Sequence, residues 1–263
     1  MRGATPPPDL VLQNARLVNV LTGEIYHTDI AIKRSRVAAV GSGYHAEAVI
    51  DLGGRYACPG LIDAHVHIES SLCTPPAFAQ AVLAHGVTSV ITDPHEIANV
   101  LGLEGIHYML QEAKYGNLSM YVMASSCVPA THMQTAGASL EYDDLEGLLN
   151  NRWVLGLAEM MNYPGVIEAN HDVLDKIGLY DGQVMDGHAP GLTGKALNAY
   201  IAAGIRSGPR VHHPGGNARE ATPGHDDLHS RGDRRAQRAR APARRDARKR
   251  RPRVLLHRRL PPH

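Results

Sequence analysis

Two histidines one residue apart, His65 and His67, are the residues here best spaced for metal chemistry. In an extended strand, residues i and i+2 project from the same side, so both imidazoles can reach one ion. The pair closes the string PGLIDAHVH, after a short apolar run; the plainer alternative is two hydrogen-bonded histidines at a strand end. Glu159 and His188 follow two later apolar runs, in VLGLAEM and GQVMDGH, at corresponding strand-end positions. Taken singly, Glu159 reads as a solvated or helix-capping acid and His188 as a loop histidine. Taken together, His65, His67, Glu159 and His188 form a candidate ligand set. A divalent ion held by imidazole and carboxylate, with one position open, lowers the pKa of bound water towards neutrality. That is hydrolytic chemistry, and a carboxylate shared between two ions would make the centre binuclear.

His95 and Glu96, in TDPHEIANV, come after another apolar run and are candidate acid–base or substrate-contacting residues. The competing reading has Asp93 and His95 capping the next helix. Ser125, Ser126 and Cys127 line a pocket or pack. His27, His45, His85, His107, His132 and His171 fall in loops or on helices and are given no role. A glycine-rich phosphate loop, a Walker motif and a nucleophile elbow are all absent from the sequence.

The elements that must hold these residues are legible from periodicity. Residues 9–57 alternate apolar and polar positions in DLVLQNARLVNV and TDIAIKRSRVAAVG around the turn-prone LTGEIYH, a module of short strands. From Cys58 the rhythm changes. Short apolar runs (LIDAHV, VTSVITD, SMYVMASS, WVLGLAEM, GQVMDGHA) alternate with helical stretches such as PPAFAQAVLAHG, IHYMLQEAKYG and GKALNAYIAAG. Strand–helix repetition at this spacing predicts a parallel α/β sheet or barrel. Five such units are visible and AAGIRS begins a sixth. In a (β/α)8 barrel the chemistry lies at the carboxyl ends of the strands, where these polar residues cluster.

Composition divides the chain. Its 263 residues carry a formal net charge of +1, but residues 208–263 alone hold 15 Arg and one Lys against five acids. The first 207 residues therefore sum to −10 and the remainder to +11. The C-terminal stretch also lacks Ile, Met, Tyr, Phe and Trp and cannot build a core. Three cysteines without a CxxC pair argue against a disulfide scaffold. No secretory signal or membrane-length apolar run is present, so a cytoplasmic setting is expected, with no membrane partner. A +11 segment attracts phosphate, but without aromatic residues to stack on bases it predicts no specific nucleic-acid partner.

The strings PGLIDAHVHIESS, TDPHEIANVLG, SSCVPAT, GLAEMMNYPGV and DGHAPGLTGKALNAYIAAGIRS resemble the adenine deaminases of the amidohydrolase superfamily, from about residue 9 to Ser207. The resemblance implies an α/β fold: an N-terminal urease-like β-module and a metal-dependent (β/α)8 barrel, here incomplete. The organisation expected is a disordered N-terminus at 1–8, the N-terminal part of a β-sandwich module at 9–57, a partial barrel at 58–207 and a disordered basic low-complexity tail at 208–263. It also implies hydrolysis of adenine to hypoxanthine and ammonia at a centre of two divalent ions, manganese or iron or alternatively zinc. His65 and His67 would be ligands from the first barrel strand, Glu159 the carboxylate that replaces the superfamily's more usual carboxylated lysine, and His188 a ligand after the fifth strand. The partner implied is a small purine base, and full-length relatives are expected to be homo-oligomers.

The resemblance stops abruptly. The family continues with an Asp-His-Glu motif, which carries a further ligand, and later with Thr-Asp-Asp, which carries the proton-shuttling aspartate. Here GPRVHHPGG comes after Ser207, and neither motif occurs. One extra nucleotide near codon 208 accounts for this. Read one base later, the codons available to Gly208-Pro209-Arg210-Val211 can spell Asp-His-Glu, and those for Arg253 through Pro262 can spell Thr-Asp-Asp. Residues 208–263 are therefore read as out of frame, and the chain as truncated and inactive. Two other readings stay open: an amidohydrolase acting on a cyclic amide or another aminopurine, and a non-functional fragment with nonspecific affinity for nucleic acid.

Overall fold

The computed structural model describes residues 7–131, 133–208 and 226–227. The expectations for the first six residues, for His132 and for the basic stretch beyond Gly208 lie outside these, apart from the backbone of Asp226–Asp227. The described chain falls into two units, one ending at Gly60 and the other beginning at Leu61.

The first unit contains five strands: β1 (Leu10–Asn19), β2 (Glu24–Lys33), β3 (Arg36–Val40), β4 (Ala48–Asp51) and β5 (Tyr56–Ala57). Among the described residues they form a single mixed sheet in the order β3-β2-β1-β4, with β5 also paired to β1. The β1–β2 register runs from Leu10 opposite Ile32 to Asn19 opposite Glu24, broken by a bulge between Leu12 and Ala15. Asn14 occupies the bulge at φ 53°. Asparagine tolerates that left-handed conformation because its short side chain bonds locally; here its Nδ2 donates to Asp51 Oδ1 at 2.9 Å. Alternation on β1 and β2 buries Ala15, Ile30 and Ile32 in a small core.

The second unit repeats strand and helix. In chain order its elements are β6 (Leu61–Val66), a single 3-10 turn (Ile68–Ser71), α1 (Pro75–Leu83), β7 (Val87–Thr92), α2 (His95–Leu101), α3 (Leu103–Tyr115) and β8 (Ser119–Ala124). Then come α4 (Tyr142–Glu146), β9 (Val154–Met160), α5 (Tyr163–Ile167), α6 (His171–Leu179), β10 (Val184–Gly187), α7 (Gly194–Ala202) and the two-residue β11 (Ser207–Gly208). The strands β6 through β11 lie side by side in sequence order, and each pairs parallel with its neighbour. Parallel neighbours require a crossover, and the helices supply it.

Local signals explain the helices. Proline stands in the first turn of α1, where its missing N–H costs nothing. Asn162 and Asn170 cap α5 and α6, accepting from Gly165 N at 3.1 Å and Val173 N at 3.3 Å. The helix α3 buries Ile106, Met109, Leu110 and Ala113, the i, i+3, i+4, i+7 stripe of an amphipathic helix. Beneath it β8 is buried along almost its whole length, as expected for a parallel strand covered on both faces. The exception is β6, at the edge among the described strands, whose Leu61 and Ile62 are exposed. No helix among the described residues is long and apolar enough to cross a membrane.

Candidate metal centre

His65 lies in β6 and His67 one residue past its end, and their rings meet edge to face with centroids 5.0 Å apart. Glu159, the penultimate residue of β9, is 5% exposed and reaches both. Its Oε1 lies 3.5 Å from His65 Nε2 and its Oε2 3.6 Å from His67 Nε2. His188, one residue beyond β10, brings Nδ1 to 3.2 Å from Glu159 Oε1. Of the four residues expected as ligands, the three histidines thus converge on the Glu159 carboxylate at the carboxyl ends of three strands. Among the described residues, ligand atoms of His65, His67 and Glu159 all lie within 4.8 Å of one another. Two imidazoles and a carboxylate are a donor set suited to zinc, manganese or iron, so the residues present fit a divalent ion.

The backbone fixes how His67 presents itself. Its Nδ1 sits 3.0 Å from the carbonyl oxygen of Asp93. A carbonyl can only accept, so Nδ1 carries the proton and Nε2 is left to face Glu159. Without an ion, imidazolium supplies the positive charge this carboxylate requires. Glu159 and then Glu96 hold the His67 imidazole up at about 11, against burial. Burial pushes the Glu159 carboxyl up, but His188 and His67 outweigh it and hold it at about 2. Burial pushes the His65 imidazole down, and Asp186 and Glu159 more than offset that, leaving it above the ordinary range.

His95 and Glu96, adjacent in sequence, are placed differently. His95 opens α2, whose N-cap is Pro94 and lacks a side-chain cap; the capping alternative therefore does not describe this turn. The Asp93 carboxylate instead accepts from Ser125 Oγ at 3.1 Å, and burial pushes it up to about 7. His95 is 8% exposed, and neither ring nitrogen has a hydrogen-bond partner among the described residues. Burial lowers its pKa, so the ring is neutral near pH 7. Glu96 instead turns towards His67, with Oε2 3.2 Å from Nδ1. Of the three residues after β8, Ser126 donates to the Glu159 carbonyl at 2.7 Å. Ser126 and Cys127 line a cleft of about 800 Å³ with Met160, Asn162, Asn170 and Lys176.

Two contributors were not singled out from the sequence. The Tyr200 hydroxyl, on α7, donates to the Met160 carbonyl at 2.6 Å and accepts from His188 N at 3.0 Å, pinning the start of the His188 loop to β9. Buried Asp186 lies 3.9 Å from His65 Nδ1; its place in the string DGH was visible, its direction was not.

The sequence profile of the amidohydrolase family matches residues 56–206. The adenine deaminase of Desulfatibacillum aliphaticivorans is 51% identical over 203 residues, covering 76% of this chain and 36% of its own length. That of Kosmotoga olearia is 50% identical over 204 residues, with coverage of 76% and 35%. The chain thus spans little more than a third of the length of these curated relatives. Among solved structures, the L-hydantoinase of Arthrobacter aurescens superposes with a TM-score of 0.52 at 20% identity, covering 76% of this chain and 45% of its own. The N-acyl-D-glutamate deacylase of Bordetella bronchiseptica does so at 0.55 and 16%, with 76% and 49% covered. These likenesses show the fold: part of a (β/α)8 barrel preceded by a β-module.

Proposed function

The chain belongs to the amidohydrolase family, and on that premise we propose that it descends from an enzyme hydrolysing adenine to hypoxanthine and ammonia. The observation that carries the reading is the convergence of His65, His67 and Glu159 within 4.8 Å at the strand ends. About half the residues over the matched region are identical to proteins named adenine deaminase, which supports adenine as substrate.

In this reading His65, His67 and Glu159 would hold a divalent ion, manganese or iron, and His188 beside Glu159 would serve as a further ligand. A bound ion supplies electrophilic polarisation and an activated water. The residues of the chain supply the rest. Glu159 balances the cationic charge, Ser126 anchors its backbone, and Tyr200 sets the position of His188. His95, neutral and unpartnered among the described residues, is the group that moves protons. Water adds at C6 of the purine, the exocyclic C–N bond breaks, and the amine takes a proton and leaves as ammonia.

We further propose that residues 208–263 are read out of frame. In support, the family match ends at residue 206, and residues 208–263 are rich in arginine and devoid of large apolar residues other than Leu and Val. Sequencing the DNA across codons 200–215, then assaying ammonia release by the chain and by a frame-corrected version on adenine, adenosine and dihydroorotate, tests both proposals. The corrected protein is expected to act on adenine and the present chain to stay at background. A corrected protein that hydrolyses dihydroorotate instead overturns the substrate; codons that cannot spell Asp-His-Glu overturn the shift.

A further inference from the structure

Glu96 stands directly after His95 in sequence, yet both of its oxygens are committed. Oε1 accepts from Ser70 Oγ at 2.8 Å, and Oε2 lies 3.2 Å from His67 Nδ1. Ser70 belongs to the 3-10 turn immediately after His67, and Glu96 to the first turn of α2. A neighbouring tie joins the same two segments, because Ile97 N donates to Glu69 Oε1 at 3.3 Å. The result is a continuous line from Ser70 through Glu96 and His67 to Glu159, with the far nitrogen of His67 facing the centre.

We infer that Glu96 is a positioning residue: it orients His67 as a metal ligand, and Ser70 orients Glu96. The inference rests on the assignment of His65, His67 and Glu159 as a metal centre. The geometry is that of a carboxylate–histidine–metal relay. A carboxylate on the distal nitrogen fixes the ring and strengthens it as a donor, and losing such a partner costs about 10–100-fold in metal affinity. The Asp93 carbonyl shares the same N–H at 3.0 Å, so the tautomer survives without Glu96. What Glu96 adds is negative charge and a mechanical tie to α2. With Glu96 facing the ligand, acid–base work towards substrate falls to His95.

The test is Co2+ binding by the 263-residue chain, with chelator competition and visible absorption, for wild type, Glu96→Gln, Glu96→Asp, Ser70→Ala and His67→Asn. Circular dichroism reports folding in each case. Glu96→Gln is expected to weaken Co2+ binding by about 10–100-fold and to shift the visible bands, because the field of the His67 ligand changes. Glu96→Asp should recover part of the loss, and Ser70→Ala should lose less than Glu96→Gln. Unchanged affinity and spectrum in Glu96→Gln, with His67→Asn defective, overturn the positioning role and leave the centre standing. If His67→Asn binds like wild type, or wild type takes up no Co2+, the centre itself is overturned and the relay with it.

Discussion

At the scale of single residues, the centre is an anionic seat that holds a proton when it does not hold a cation. Glu159 titrates at about 2 instead of its ordinary 4.5, and His67 at about 11 instead of 6.5. A carboxyl lowered by folding contributes stability that is complete above its unfolded value and is lost as pH falls through the folded one. A raised histidine contributes stability that is complete below its unfolded value and is lost as pH rises through the folded one. Both contributions of the metal-free chain therefore coexist between pH 4.5 and 6.5. In urea denaturation with chelator present, the advantage of wild type over Glu159→Gln is expected to be largest in that window. It should close towards pH 2 as Glu159 takes up its proton, and shrink above pH 6.5 as His67 approaches loss of its own. A gap independent of pH would show that the charge pairing contributes nothing.

At the scale of elements, β9 and β10 are held together at both ends. Near their amino ends, Gly156 on β9 approaches β10 so closely that a Cβ there would lie 1.9 Å from the Val184 carbonyl oxygen. Gly187 leaves room for the Tyr200 hydroxyl, which a Cβ would meet at 2.6 Å. That hydroxyl is buried and bonded to the backbone on both sides. Tyr200→Phe removes it while keeping the ring and takes a partner from two backbone groups, the Met160 carbonyl and the His188 N–H. The expected loss is about 1–3 kcal/mol of unfolding free energy, measured by urea denaturation, together with weaker metal binding as the His188 loop loosens. A variant as stable as wild type would mean that water replaces the hydroxyl at no cost.

At the scale of the whole molecule, the candidate ligands lie at the ends of β6, β9 and β10, so an ion held there would tie the exposed strand β6, at the edge among the described strands, to the middle of the sheet. An ion at a hundredfold excess over its dissociation constant stabilises the folded state by about 2.7 kcal/mol. For a unit of this size that corresponds to roughly 5–10 °C in melting temperature. Adding EDTA to Mn2+-loaded protein is expected to produce a shift of that order in differential scanning calorimetry. No shift would mean that the strands hold their positions without the ion.

Much of this was open to reading in one dimension because it is local. The spacing of His65 and His67 is a matter of strand geometry. The apolar runs ending in polar residues reflect strands buried on two faces with their chemistry at one end. The same periodicity separates the β-module from the barrel segment, and a count of charges separates an acidic chain from a basic tail. Direction and distance were decided only by tertiary structure. His95 and Glu96 are neighbours on one helical turn, and the packing of α2 on the 3-10 turn sends one to an unpartnered buried position among the described residues and the other to His67 Nδ1. Tyr200 acts on Met160 across 40 residues and on His188 across 12. A hydrogen bond of that span leaves no periodic trace, because it exists only after the sheet has brought the strands side by side.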